Sequence, residues 1–316
     1  MAAASEIVAL AGGVGAARFL RGLVKIRDPE TITIIGNTGD DRRFYGVHVS
    51  PDLDIVTYTL AGLIDRERGY GLEGDGFSVI ETLADFGHET WFRLGDRDFA
   101  GCLARTLRLA DGAQLSEVTD EIRRRLGVGA RLIPMSDDPC PTYVELSDGS
   151  RVHFEEYLVR DGAPADVKRV DLACAEGAAP APGVLDAIRR AAHILVCPSN
   201  PVVSIGPILA LPGVRDALRE ARAPIVAVSP IVGGAPVKGP ADRLLRALGS
   251  EVSPVGVAAL YRDFANGFVL DERDAERKSE IEASGYTCIA LDTLMVDQQR
   301  SEAVAGAALD VAASLR

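Results

Sequence analysis

The run Ile7-Val8-Ala9-Leu10-Ala11 is apolar at every position, ends in Gly12-Gly13-Val14-Gly15, and is followed by a helical pattern over about 16–26 and a second apolar run over 31–36. A strand without a polar face must be covered on both sides. A strand that returns in the same direction needs a crossover helix, so this opening predicts a parallel sheet layered between helices. The alternation recurs downstream as a helix over 184–192, a strand over 194–197, a helix over 208–220 and a strand over 225–228. It then continues from Asp242 through apolar runs at 268–270 and 288–291 to a final helix ending near Leu315. The predicted fold class is α/β, a doubly wound, mainly parallel Rossmann-like sheet.

The middle of the chain breaks this rhythm. From Asp52 to about Leu126 the pattern is mostly helical, and 142–158 reads as a β-hairpin turning at Asp148-Gly149. Loops at 162–165 and 177–182 flank the short apolar piece Val170-Asp171-Leu172. With no long linker or repeat, residues 1–316 read as a single nucleotide-binding domain with an insertion at roughly 52–180.

Glycines between a strand and a helix let an anion approach backbone N–H groups, and the helix N-terminus adds partial positive charge, so Gly12 to Gly15 predict a phosphate cradle. A dinucleotide fingerprint does not fit, because Arg18 stands where a small residue is required and the second strand ends in Asn37-Thr38-Gly39-Asp40-Asp41 instead of a lone ribose-binding acid. No Gly-Lys-Ser/Thr follows the glycines, which excludes a Walker A loop.

The formal net charge of −12 argues against nucleic acid or an anionic membrane as partner. A polyanionic ligand would then need local arginines or a divalent cation. No apolar run approaches the ~20 residues that span a bilayer, and the N-terminal residues lack a signal-peptide pattern, so a cytoplasmic location is expected. The 5 cysteines, at 102, 140, 174, 197 and 288, are scattered without a Cys-x-x-Cys pair and read as small buried hydrophobes. His48, His88, His153 and His193 have no metal-ligand spacing, and no serine sits in a nucleophile elbow. Direct transfer assisted by metal and arginine charge is the chemistry that remains.

In an open α/β sheet, ligands bind beyond the carboxyl ends of the strands. The segments there are Asn37 to Asp41, Ser199-Asn200-Pro201 and Ser229 to Gly234, which with the glycine loop outline one crevice. Asp52 and Asp54 follow Pro51 at a helix start, where two acids also suit the helix dipole. Together with Asp40 and Asp41 they would repel a polyphosphate, and a magnesium ion bridging these acids and phosphate oxygens resolves that repulsion. Arg93-Leu94-Gly95-Asp96-Arg97-Asp98 follows Trp91-Phe92, and supplies an arginine fork beside aromatic surface for a planar ligand.

These segments in this order, with 134–139 and 198–208 among them, resemble the 2-phospho-L-lactate transferase family (CofD, called FbiA in some bacteria) of coenzyme F-420 biosynthesis. The resemblance spans nearly the whole chain. It implies a magnesium-dependent homodimer that moves a phospholactyl, phosphoenolpyruvyl or phosphoglyceryl group from a guanylyl diphosphate donor to the deazaflavin FO, releasing GMP. Carried over by position, Asp54 and Arg93 would contact the deazaflavin. Gly12, Gly13, Val14, Gly15, Ser199, Asn200 and Ser229 would hold the guanosine diphosphate side, and Asp40 and Asp52 the metal. Arg18, Asn37 and Trp91 complete the expected binding set, and Asp40, Asp52, Asp54 and Arg97 the expected catalytic set. The alternative is a regulatory relative that binds a sugar nucleotide without turnover.

Overall fold

The computed structural model describes residues 7–172 and 177–315. Its centre is a seven-stranded sheet formed by β1 (Ile7–Ala11), β2 (Ile32–Gly36), β3 (Arg131–Pro134), β4 (His193–Val196), β5 (Ile225–Val228), β6 (Gly267–Asp271) and β7 (Thr287–Leu291). All neighbours are parallel, and the spatial order is β3-β2-β1-β4-β5-β6-β7. The order reverses between β1 and β4, as in a dinucleotide-type sheet.

Side chains along each strand alternate between two separate cores. Val8, Leu10, Ile194, Val196, Phe268 and Leu270 enter one, while Ile7, Ala9, Ile32, Ile34, Leu195 and Val269 enter the other. This explains the continuous apolar runs, because both faces of the sheet are dry. The second face is covered by α1 (Gly13–Ile26), α2 (Pro51–Leu60) and the C-terminal helix, whose buried Val304, Ala305 and Ala308 belong to the same core as Phe19 and Leu20 of α1. Helix α1 begins within the glycine loop itself, a turn earlier than the pattern predicts.

Two further differences have physical causes. The expected helix over 208–220 is two short helices, Ile205–Ala210 and Val214–Arg219, because Pro212 lacks an N–H and Gly213 takes φ 78°. The stretch expected as one insertion at 52–180 returns to the sheet at β3, so it comprises two excursions, one from β2 to β3 and one from β3 to β4. β3 carries only two aliphatic residues, Leu132 and Ile133, between Arg131 and Pro134, too short an apolar run to register against the helical pattern around it. The first excursion carries the antiparallel pair Arg42–Phe44 and Val47–Val49 and the helix α3 (Asp96–Ala110). The second carries the predicted hairpin, Thr142–Leu146 with Arg151–His153, to which Val167–Leu172 adds a third antiparallel strand.

No helix among the described residues is long and apolar enough to cross a membrane. Cys102, Cys140, Cys197 and Cys288 are buried, and Cys174 lies outside the described residues.

At the end of β6, fully buried Asp271 accepts the backbone N–H of Arg273 at 3.0 Å and both the N–H and the hydroxyl of Thr293 at 2.8 Å. It thereby ties the loop leaving β7 to the sheet edge. Asp271→Ala strips these donors of their acceptor and should destabilise the protein by about 3 kcal/mol in urea denaturation. A loss under about 1 kcal/mol would show that the loop is held by other contacts.

Candidate active site

A cavity of about 610 Å³ opens over the carboxyl ends of the strands where the order reverses between β1 and β4. Gly12, Gly13, Val14, Gly15 and Arg18 form its floor, and Ser199, Asn200 and Ser229 form the adjoining wall. Asp40, Asp52, Asp54, Trp91 and Arg93 also line it, so most residues singled out in the sequence converge here. Asn37 and Arg97 are not part of the lining. Asn37 lies behind the wall, donating to Asp52 Oδ2 at 2.8 Å and to the Val203 carbonyl at 3.2 Å. Arg97 faces outward, 58% exposed, pairing with Asp75 at 3.5 Å and donating to the Glu73 carbonyl. Expected in the catalytic set, Arg97 does not line this cavity, whose lining cations are Arg18, Arg93 and Lys238.

The glycine loop is close-packed against protein as well as open to ligand. A β-carbon on Gly15 would sit 2.1 Å from the Pro198 carbonyl oxygen, and one on Gly12 would sit 2.5 Å from Asp52 Oδ2. The first contact packs the loop against the segment after β4, reinforced by the Gly12 N–H donating to Ser199 Oγ at 3.3 Å, and the second packs it against α2. The Gly13 N–H instead donates to Asp52, so this carboxylate stands at the N-terminus of α1, beside the place expected for phosphate. Asn200 and Ser229 shape their own turns, Asn200 accepting the Val202 N–H at 3.0 Å and Ser229 Oγ accepting the Ile231 N–H at 3.1 Å.

The acids divide into partnered and unpartnered groups. Asp41 is held by His48 at 3.0 Å and by the Ser50 hydroxyl at 2.7 Å, and does not line the cavity. Asp54 receives both terminal nitrogens of Arg105, one of them at 3.0 Å, in a buried bidentate ion pair. Asp40 is buried with Oδ1 lacking a hydrogen-bond partner, and burial followed by the charges of Asp52 and Glu155 pushes its carboxyl well above the usual range. Burial also raises Asp52 to about 6, against the opposing hydrogen bonds of Asn37 and Gly13. Glu155 is raised to about 8, first by burial and then by Asp52.

Asp98 accepts the Tyr58 hydroxyl at 3.0 Å and is raised to about 7 by burial and by Asp54. Asp54, Asp98 and Cys102 place ligand atoms within 4.8 Å of one another, but Arg105 already supplies the positive charge there. The region able to take a cation is therefore around Asp40 and Asp52, where oxygens lack counter-charge. Hard cations such as magnesium favour that all-oxygen donor set.

Away from these acids the cavity becomes aromatic and apolar. Phe92 stacks on Phe44 at 3.9 Å and Trp91 meets Phe44 edge-on at 5.3 Å, while Arg93 lies over Phe77 at 4.6 Å and approaches Glu81 at 3.6 Å. Tyr70 and Val159, 44% exposed each, continue this surface outward. One half of the cavity thus suits phosphate, and the other a planar ring.

Glu155, Arg105 and Lys238 were not anticipated. Arg105 carries a readable signal, since it lies three and seven residues beyond Cys102 and Asp98 on the inward stripe of α3. Glu155 carries none, because it follows the hairpin among other acids.

The sequence profile described as 2-phospho-L-lactate transferase CofD matches residues 7–309. The chain belongs to the CofD family. A phosphoenolpyruvate transferase from Kitasatospora aureofaciens is 48% identical over 317 residues, covering 98% of this chain and 99% of that protein. A 2-phospho-L-lactate transferase from Methanosarcina mazei is 40% identical over 299 residues, covering 95% and 98%. A solved structure of a UPF0052-family protein from Bacillus halodurans superposes with a TM-score of 0.65 at 19% identity, covering 96% of this chain and 98% of that one. That last likeness shows the fold alone. The chain is thus a transferase of the coenzyme F-420 biosynthetic family.

The raised acids give a pH dependence with a definite sign. Asp52, Asp98 and Glu155 hold protons more tightly folded than unfolded, so stability present at low pH is lost as pH rises through about 6, 7 and 8. His153, lowered to about 4 by burial, acts in the opposite sense only below its ordinary value of 6.5. In EDTA, the urea midpoint should therefore fall between about pH 6.5 and 8.5. A midpoint that rises over this window would mean that the acids are ionised and well paired.

Proposed function

We propose that this protein transfers a phosphoenolpyruvyl group from a guanylyl diphosphate donor to the deazaflavin FO, releasing GMP and forming dehydro coenzyme F-420-0. The observation that carries this reading is the division of one cavity into a glycine-loop half with buried acids and an aromatic half with Arg93 and Trp91. The choice of donor rests on relatives named phosphoenolpyruvate transferase at 46–48% identity, against 40–43% for those named 2-phospho-L-lactate transferase.

In this scheme the acceptor hydroxyl oxygen forms a bond to the phosphorus bearing the three-carbon group. The bond from that phosphorus to the GMP phosphate breaks, and the hydroxyl proton passes to a carboxylate. No protein nucleophile is needed, so the work of the site is alignment and charge neutralisation. The α1 N-terminus and Arg18 receive the diphosphate, and Trp91, Phe92 and Arg93 orient the ring. Asp40 and Asp52 would hold magnesium, which supplies charge neutralisation at the phosphate oxygens. Arg105 fixes Asp54 in a single orientation at the boundary between the halves.

Purified protein incubated with FO, magnesium and each guanylyl donor should give the dehydro product with the enolpyruvyl donor, identified by mass spectrometry. Turnover of the lactyl or glyceryl donor alone would overturn the donor assignment, and no turnover of any would overturn the reading. Arg93→Ala should weaken FO binding about tenfold while leaving GDP binding within about twofold, measured by calorimetry. Equal losses for both ligands would reject its place on the acceptor side. Asp54→Asn is a poorer probe, because it leaves the Arg105 charge buried without its partner, a loss of about 3–5 kcal/mol.

A further inference from the structure

We propose that Lys238 binds the diphosphate of the donor, its ammonium acting together with Arg18 at the glycine loop. The class of the anion, a nucleoside diphosphate, rests on the transferase reading, whereas the choice of residue rests on the geometry.

Lys238 lines the cavity from the connection between β5 and β6, and its ammonium donates to the Arg68 carbonyl of the β2–β3 excursion at 3.2 Å. The position that a β-carbon on Gly69 would take is 3.2 Å from Lys238 Nζ and 3.5 Å from Val14 Cγ1. The ammonium therefore stands beside the first turn of α1. Arg18 lies four residues beyond Val14 on that helix, shares its face and also lines the cavity. Two cations from distant parts of the chain are thus delivered to the glycine loop.

The segment that presents Lys238 is braced. The antiparallel pair Ile231–Val232 and Ala235–Pro236 turns at Gly233-Gly234, and buried Asp274 accepts the N–H groups of both glycines at 2.8 and 3.0 Å. The Val237 N–H then returns to the Pro230 carbonyl at 3.4 Å.

Neither cation has a counter-charge. Arg93, the third lining cation, approaches Glu81, and Lys168 and Lys278 each pair with a glutamate. Lys238 and Arg18 make no ion pair among the described residues. Partial burial and then the charge of Arg18 hold the Lys238 ammonium below the usual lysine range, the sense expected of two cations without an acid between them. An ammonium carries three donors, and the Arg68 carbonyl takes one, which leaves the others for phosphate oxygens. A diphosphate supplies the missing negative charge and gives both cations charge-assisted hydrogen bonds.

The test is calorimetry of GDP and, separately, of FO with the full-length protein in magnesium, for the wild type, Lys238→Met, Lys238→Arg and Lys25→Met. Lys25 lies in the last turn of α1, is not part of the cavity lining, and its variant matches Lys238→Met in net charge. Lys238→Met should weaken GDP binding by about tenfold or more and flatten its dependence on ionic strength, with partial recovery in Lys238→Arg and FO affinity within about twofold of the wild type. Lys25→Met should leave GDP affinity within about twofold. A loss of GDP binding in Lys238→Met no larger than in Lys25→Met, or an equal loss of FO binding, overturns the assignment of Lys238 and leaves the transferase reading standing. If the wild type itself binds no GDP, both this proposal and the guanylyl donor of the proposed function fail, while the product assay still judges the transfer reaction.

Discussion

Parallel strands cannot be joined by tight turns, and that constraint organises the rest of the molecule. Every connection between strands of the central sheet must cross a face, so the carboxyl ends of all of them emerge on one edge. Where the order reverses between β1 and β4, successive connections leave toward opposite faces and a crevice opens between them. The glycine loop, the Ser199-Asn200 turn and the loop at Ser229 meet there because the topology delivers them to it. The close approach of Gly15 to the Pro198 carbonyl makes the crevice narrow and fixed.

Within that crevice, charge is handled in two ways. Asp54 is neutralised by a protein cation, Arg105, in bidentate geometry, whereas Asp40, Asp52 and Glu155 are buried in the cavity lining without an ion pair among the described residues, and burial raises the pKa of all three. The first arrangement gives a charge-paired group of fixed orientation. The second gives a charge state that responds to whatever enters. In the proposed transfer, a protein with net charge −12 would gain from placing this responsive group beside the donor's phosphates.

The central sheet was readable because strands buried on both faces have no polar positions, and Ile7–Ala11 and Ile225–Val228 show this plainly. β3 escaped notice because its only aliphatic residues are Leu132 and Ile133, set between an exposed Arg131 and Pro134. The residues that converge on the cavity were legible where they immediately follow strands, as at Gly12, Asp40 and Ser199. Arg97 was misplaced because neighbours in a helix point in different directions: Asp98 turns inward to Tyr58 while Arg97 turns out to Asp75. Glu155 depends on a long-range meeting of the hairpin with the β2 loop, and no local spacing encodes such a meeting.

The Asp271 brace at the end of β6 has a consequence for access. By holding Thr293 through both its N–H and its hydroxyl, it stiffens the stretch from Thr293 to Val296 that walls one side of the cavity. Compliance is then concentrated on the opposite side, among the excursion residues around Tyr70 and Val159. In the proposed transfer, a planar acceptor would enter past these exposed side chains, while the braced wall would keep its shape. The proposed reaction would then work between a rigid anvil on one side of the cavity and a yielding rim on the other.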